Sequence, residues 1–505
     1  MNMRNKKPVK NLRSSFPKTL ALVLLVATIL RFSKLAPLFH WTLDEEYWSY
    51  LPFNIATGYH LPLIGGHVSG TGVYSGPLFV WIMALPLALV KGNPLGIAAF
   101  VSGLGVITTA VMYWVGSTLF EKRTGLIAAA VAATSFLWVI YDRKYWNASP
   151  IPLLSLLTLL CIRKIAQGKR RFAYPLGVIL AVAFHAHMTS AVLLVFVAAA
   201  WWLLKLPVKK REFMVGLGLF LLLQMPLLVF EMRHDFLNTR AVVSFLSTDK
   251  AGTSLATAVK DVSLLAANTS GRLLYAPLKL DIAKELTLCA QYAGLRFIPP
   301  LWAVGLGLVA LAFVVRNRKS NGSRLLLLLL AINMAGLIWY RMRAGPGNWY
   351  PGQLSEYFFF PSFPAFLLGF ASMTSWLIGR LGSRAGIAWL ALAILLLVNA
   401  AAVVTVTHSD GFAGKNATVK SVIKLLAEQP FTLAVESSDP CRLYGYRYLF
   451  SVYRREPAAS YLDGQFGWLY ERRLPDAKPT KRITIVTNPE SIELKMVDVG
   501  INVRK

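Results

Sequence analysis

Long apolar runs recur along this chain, and the short segments between them are basic. Runs of the length that spans a bilayer, about 17–25 residues, fall with soft edges at 19–38, 94–119, 125–141, 150–165, 172–187, 189–205, 213–231, 297–315, 324–341, 357–379 and 386–407. Between them lie clusters such as Arg163, Lys164, Lys169, Arg170 and Arg171; Lys205, Lys209, Lys210 and Arg211; and Arg316, Arg318, Lys319 and Arg324. The chain of 505 residues is 55% hydrophobic and 15% charged, with 53 Lys+Arg against 24 Asp+Glu. A net charge of +29 on a soluble protein would point to nucleic acid, which needs one contiguous basic face. Here the charge is dealt out one short loop at a time, the positive-inside pattern of a polytopic membrane protein.

Parity then fixes a topology. The run 77–90, short and interrupted by Pro86, is read as an interfacial helix, because every basic cluster then falls on the cytoplasmic side. The stretch 172–205 must turn back near His185–Thr189, since Arg171 and Lys205 both belong inside. The expectation is about 11 spans with the N-terminus cytoplasmic and the C-terminus extracytoplasmic, in the cytoplasmic membrane of a bacterium. Residues 1–18 lead into a retained first span, without a cleavage site. The external segments are 39–93, 142–149, the 185–189 turn, 232–296, 342–356 and a region from about 408 onward. No repeat of solenoid length is present.

From residue 408 the composition turns polar. FTLAVE (431–436) and ITIVTN (483–488) read as strands, and 416–428 as an amphipathic helix. Two domains follow: a membrane domain over 1–407 and a small extracytoplasmic α/β domain over 408–505. Cys289 and Cys441 both fall outside, leaving a disulfide and two buried thiols as alternatives.

No Asp or Glu lies in the middle of a proposed span, which speaks against an ion-coupled transporter. The acids gather at membrane ends. The first external loop has no Lys or Arg from Leu35 to Val90 but carries Asp44, Glu45 and Glu46 in LDEEYWSY. A carboxylate at the edge of an apolar site has a raised pKa and suits general-base work; alternatively Asp44 caps the helix beginning at Glu45.

Five segments in order resemble the GT-C fold, polyprenyl-phosphate-dependent glycosyltransferases of the family 39-like kind: protein O-mannosyltransferases, lipid A aminoarabinose transferases and their bacterial relatives. They are LDEEYWSYLPFNIATG, SGPLFVWIMALPLAL, LFEKRTGLIAAAVAATSFLWVIYDRKYW, FHAHMTSAVLLV and SEYFFFPSFPAFLLG, and the likeness covers roughly residues 15–380. The resemblance implies a GT-C-like membrane domain with external juxtamembrane helices. It also implies a lipid-phosphate sugar donor, an acceptor lipid, glycan or protein, and no nucleic acid. Asp44 would be the catalytic base with Glu45 its neighbour. Arg143, Lys144 and His187 would hold the donor phosphate, the two cations otherwise being interface anchors. Where relatives carry Arg before Tyr, this chain has Glu356 before Tyr357, so the cation there is expected from Arg341 or Arg343, or Glu356 faces the acceptor. Arg233 and His234, in FEMRHDF (230–236), either line the site or form a salt-bridged collar.

No cofactor beyond the lipid-linked donor is implied. His185 and His187 with His60 and His67 offer no spacing that supports a catalytic metal. Asn147-Ala-Ser, Asn268-Thr-Ser and Asn416-Ala-Thr are read as chance triplets. The function expected is inverting transfer of a sugar to an acceptor on the outer face. The alternative is a lipid-linked glycan flippase or exporter without transferase activity.

Overall fold

A computed structural model describes residues 12–68, 72–247, 252–285, 297–343, 354–470, 475–488 and 492–498. Its first helix is α1 (Leu12–Phe32), followed by α2 (Leu43–Ala56) and α3 (Leu78–Leu89). A two-stranded hairpin, β1 (His67–Val68) and β2 (Val73–Tyr74), lies between these two. Next come α4 (Pro94–Leu119), α5 (Lys122–Thr134), α6 (Phe136–Arg143), α7 (Ile151–Ala166), α8 (Ala173–Ala186), α9 (Ala191–Leu204) and α10 (Lys210–Arg233). The segment after α10 is helical, as expected, with α11 (Leu237–Ser247) and α12 (Leu255–Leu274). The last apolar helices are α13 (Leu301–Arg316), α14 (Asn321–Arg343), α15 (Phe363–Leu381) and α16 (Ala385–Thr405).

Among the described residues, four helical stretches are long and apolar enough to cross a membrane: Pro94–Leu119, Lys210–Arg233, Asn321–Arg343 and Glu356–Thr405. The bent pair α5–α6 makes a fifth. Most other apolar runs are helical but short. At about 1.5 Å per residue, the 14 residues of α8 and of α9 reach only about 21 Å.

The run read as a single span over 125–141 is broken instead, with a bend of 63° at Ser135. The polar groups freed at the break are met from distant helices. Ser135 Oγ donates to the Leu273 carbonyl at 2.8 Å. Asn399 accepts from the Phe136 amide at 3.3 Å and donates to the Leu274 carbonyl at 2.7 Å. The turn expected near 185–189 is present as a 3₁₀ turn over Met188–Ser190 that joins α8 to α9.

The run 77–90, read as interfacial, is helical as α3 and is seated by His185. That ring accepts from the Leu78 amide at 3.5 Å and pairs with Gln224 of α10 at 2.7 Å. Gly76 passes so close that a Cβ there would stand 1.9 Å from His185 Nδ1.

After α16 the chain forms α17 (Phe412–Leu426), β3 (Phe431–Ser437), α18 (Arg447–Val452), β4 (Ala459–Ser460), β5 (Lys481–Thr487) and β6 (Ile492–Asp498). Strand order is β4-β3-β5-β6, with β3 parallel to β4 and β5, and β6 antiparallel to β5. Of the two external cysteines, Cys289 lies outside the described residues.

The division at 407/408 does not coincide with a break in the core. One apolar cluster runs from Phe39, Trp41, Trp48, Tyr50 and Phe53 of the first loop into Phe412, Tyr448, Phe450 and Ile485 of the C-terminal region. Trp41 Nε1 donates to the Gly445 carbonyl at 2.6 Å, and Lys415 donates to the Trp41 carbonyl at 2.8 Å. The sheet is therefore packed on the acidic loop, which sets the geometry of α2.

Candidate active site

The three acids of LDEEYWSY occupy the first turn of α2, where successive side chains point about 100° apart. Each takes a different direction. Thr42 is the N-cap, with Glu45 closing a capping box: the Glu45 carboxylate accepts from the Thr42 amide at 3.1 Å and from its hydroxyl at 3.3 Å. Capping thus falls to Thr42 and Glu45 rather than Asp44. The other oxygen of Glu45 forms a buried ion pair with Lys144, whose ammonium also lies 4.9 Å from the Trp146 ring centroid. Glu46 points to the C-terminal region and accepts from the Gly445 and Tyr448 amides at 2.8 and 2.7 Å.

Asp44 alone of the three faces open space. It lines a cavity of about 520 Å³ together with Trp48, His67, Trp146, Asn147, His187, Thr189 and Tyr357. It makes no hydrogen bond or ion pair with another described residue. Burial pushes its carboxyl up from 3.8 to about 7; Lys144 pulls the other way and Glu45 adds to the rise. Such a carboxyl sits near the pH at which a base both accepts a proton readily and is free to do so.

Along α9 and α14 the cavity wall is mainly apolar, interrupted by Asn333 and Tyr340. Ala191, Val192 and Val195 of α9 face Ile332, Ala335 and Gly336 of α14. Val195 is 56% and Trp339 46% exposed, so this arm opens sideways between two helices onto the apolar flank. A polar head and an apolar tail would both be accommodated.

His187 stands between the two regions. Its Nδ1 accepts from the Thr189 amide at 3.2 Å, which leaves the proton on Nε2 as a donor. The ring packs near Trp146 and Tyr357, at 6.4 and 6.0 Å between centroids. Asn147 donates through Nδ2 to the Ala186 carbonyl at 2.7 Å, so its Oδ1 is the group left for a ligand. Trp146 and Tyr357 cross at 4.8 Å and make the wall beside His187.

The structure thus brings Asp44, His187 and Tyr357 to one cavity, with Glu45 and Lys144 immediately behind Asp44. It uses the other expected residues elsewhere. Arg143, one residue from Lys144, is 1% exposed. It donates to the Leu30 carbonyl, and to the Arg31 and Ser33 carbonyls at 3.2 and 3.0 Å. It therefore caps the C-terminus of α1, where four carbonyls lack helical partners, and does not line the cavity.

Glu356 does not line the cavity, and its cation comes from neither Arg341 nor Arg343. Arg272 of α12 pairs with it at 3.0 Å and the Tyr141 hydroxyl donates to it at 3.1 Å. Arg341 pairs with Asp261 at 2.9 Å, and Arg343 is not among the cavity-lining residues. Arg233 and His234 are exposed, and His234 stacks on Phe230 at 4.2 Å. The charge of that collar goes to Glu231, which accepts from the Asn238 and Thr239 amides at 3.0 and 2.9 Å and so caps α11.

The residues missed in the sequence are Arg272, Asn147 and the pair Trp48 and Trp339. The aromatic pair carried a signal, tryptophans at helix ends beside an acidic loop; Arg272 carried none. Among the described residues no group of three or more His, Cys, Asp or Glu side chains is placed to hold a metal ion.

Residues 74–230 match the family model described as dolichyl-phosphate-mannose-protein mannosyltransferase. The fold resembles ArnT from Cupriavidus metallidurans in the apo state, with a TM-score of 0.60 at 9% identity, covering 94% of this chain and 93% of that one. The same protein bound to undecaprenyl phosphate gives 0.56 at 10% identity, covering 94% and 93%. The apo oligosaccharyltransferase of Archaeoglobus fulgidus gives 0.50 at 13% identity, covering 95% of this chain and 70% of that one. No curated protein matches in sequence. The resemblance to GT-C fold glycosyltransferases of the protein mannosyltransferase and ArnT type thus holds in both family match and fold.

Proposed function

We propose that the protein is an integral membrane glycosyltransferase that moves a sugar from a polyprenyl-phosphate-linked donor to an acceptor on the extracytoplasmic face. The observation that carries this reading is the Asp44 carboxyl, without a partner among the described residues, at the polar end of a cavity whose other end opens between apolar helices. An amphiphilic donor fits that division, with its lipid between α9 and α14 and its head beside Asp44. One structural relative, ArnT, is bound to undecaprenyl phosphate. With the N-terminus inside a bacterial cytoplasmic membrane, as the basic segments suggest, Asp44 would lie outside.

In this reading Asp44 takes the proton of the acceptor as its heteroatom attacks the anomeric carbon, with inversion. The bond to the lipid phosphate oxygen breaks, and the phosphate leaves with the bonding pair. His187 donates to it through Nε2. Lys144, fixed between Glu45 and Trp146, supplies positive charge behind Asp44. Donors set in place before charge develops act most strongly in such a water-poor site. Asp44→Asn, tested for transfer from undecaprenyl-phosphate sugars in membranes, should abolish turnover. Translocation of the lipid without transfer by the wild type would favour the exporter instead.

A further inference from the structure

Among the described residues Asp44 has no hydrogen-bond partner, so its aim is set by the first turn of α2, and that turn is anchored in the C-terminal region twice. The first anchor is Glu46, buried and held by the Gly445 and Tyr448 amides at 2.8 and 2.7 Å. Lys415 and Arg447 are the cations nearest to it.

The second anchor is a directed chain of hydrogen bonds. The Asp410 amide donates to His408 Nδ1 at 3.3 Å, which puts the His408 proton on Nε2. That nitrogen lies 2.9 Å from His40 Nδ1, so His40 carries its own proton on Nε2, 3.4 Å from Thr42 Oγ1. The Thr42 hydroxyl then donates to Glu45 at 3.3 Å. The direction requires both rings to be neutral. Burial lowers both, His408 to about 3, and the cations Lys415, Arg442 and Lys144 reinforce this at His408 while Asp281 opposes it. The backbone makes the same join: Phe412 donates to the Phe39 carbonyl at 2.9 Å beside an antiparallel bridge between His40 and Gly411.

We propose that Glu46 and His408 are positioning residues through which the C-terminal sheet region holds Asp44 in the cavity; this rests on the reading of Asp44 as the base. Neither residue lines the cavity, and both act through α2. A turn of α2 about its axis by a few tens of degrees would carry the Asp44 carboxyl by more than about 1 Å, a displacement that costs about 100-fold in rate.

The test uses the full chain in lipid nanodiscs, with Glu46→Gln, His408→Phe, His408→Gln and Asp44→Asn compared with wild type. Dicyclohexylcarbodiimide, which modifies protonated carboxyls in apolar sites, is quantified at Asp44 by peptide mass spectrometry across pH. Turnover of an undecaprenyl-phosphate hexose panel is followed in parallel. The groups facing Asp44 are Glu45, Lys144, His67, His187, Tyr340 and Tyr357, and none is altered in the positioning variants.

In Glu46→Gln and His408→Phe the pH midpoint of labelling should fall by about one unit as Asp44 gains water. Their kcat should drop about 10- to 100-fold with KM for the donor within about two-fold. His408→Gln, which keeps a donor toward His40, should recover most of the loss. A merely structural role would lower the folded fraction and leave midpoint and kcat per folded molecule unchanged, which overturns the proposal. If Glu46→Gln does not fold, the His408 pair decides alone. An active Asp44→Asn would sink the base reading, while a moved labelling midpoint would still uphold the positioning.

Discussion

Asp44→Asn should make the protein inactive and, above neutral pH, more stable. The side chain keeps its shape and loses only the charge. In the unfolded chain the carboxyl titrates near 3.8; in the cavity it titrates near about 7 because it is buried, with Lys144 and Glu45 acting in opposite senses. A folded-state pKa above the unfolded value means the native state holds the proton longer. Native stability therefore falls as pH rises from about 4 to about 7 and stays reduced above that. At about 1.4 kcal/mol per pH unit, the interval corresponds to on the order of 4 kcal/mol, and relaxation around an ion reduces what is realised.

The asparagine variant escapes this penalty. Its thermal midpoint in detergent should exceed wild type by a clearly larger margin at pH 8 than at pH 5, while kcat falls about 100- to 10,000-fold, the usual span for loss of a general base. In the wild type, kcat/KM should rise with pH through about 7, as the base loses its proton. Differential scanning fluorimetry at the two pH values, beside a transfer assay, reads both effects. Equal midpoints at pH 8 would refute the burial argument, and retained turnover would refute the base.

Three further outcomes follow from the packing. His187→Ala should weaken binding of undecaprenyl phosphate, followed by quenching of the cavity tryptophans, by about 10- to 100-fold, the worth of one hydrogen bond to a charged group; His187→Gln should keep part of it. Arg272→Met removes the Arg272 cation from the buried Glu356 and should cost about 3–5 kcal/mol, visible as a lowered thermal midpoint that adding Glu356→Gln largely restores. Gly76→Ala drives a methyl group into His185 and should cost about 1–3 kcal/mol, with the midpoint falling because α3 loses its seat.

What the sequence could reveal was whatever depends on neighbours along the chain. Apolar runs and the basic residues between them gave the helices, and the composition change near 408 gave the sheet region, because both are local in origin. Asp44, His187 and Tyr357 were legible for the same reason: each sits at a helix end within a recognisable motif. Arg143 and Lys144 show the limit. They are adjacent and alike in charge, yet one reaches the carbonyls of α1 and the other Glu45. The choice is made by how α6 crosses α1, which no local pattern encodes. The break at Ser135 was hidden likewise, since its partners Leu273 and Asn399 lie 138 and, from Phe136, 263 positions away. Glu356 met Arg272 across 84 positions, where only arginines near the same edge had been considered.

The join between Glu46 and the C-terminal region also orders events in time. Glu46 and Gly445 are 399 residues apart, and chains grow at about 5–20 residues per second. The acidic turn therefore leaves the ribosome roughly 20–80 s before the amides that complete it. Throughout that interval a nascent chain can have most of its helices inserted and still lack a finished α2. The acidic turn is completed late, after the apolar helices have been made, so a chain stalled or cut before Gly445 would carry those helices beside an unfinished α2, with Trp41 and Tyr50 uncovered for quality control to find.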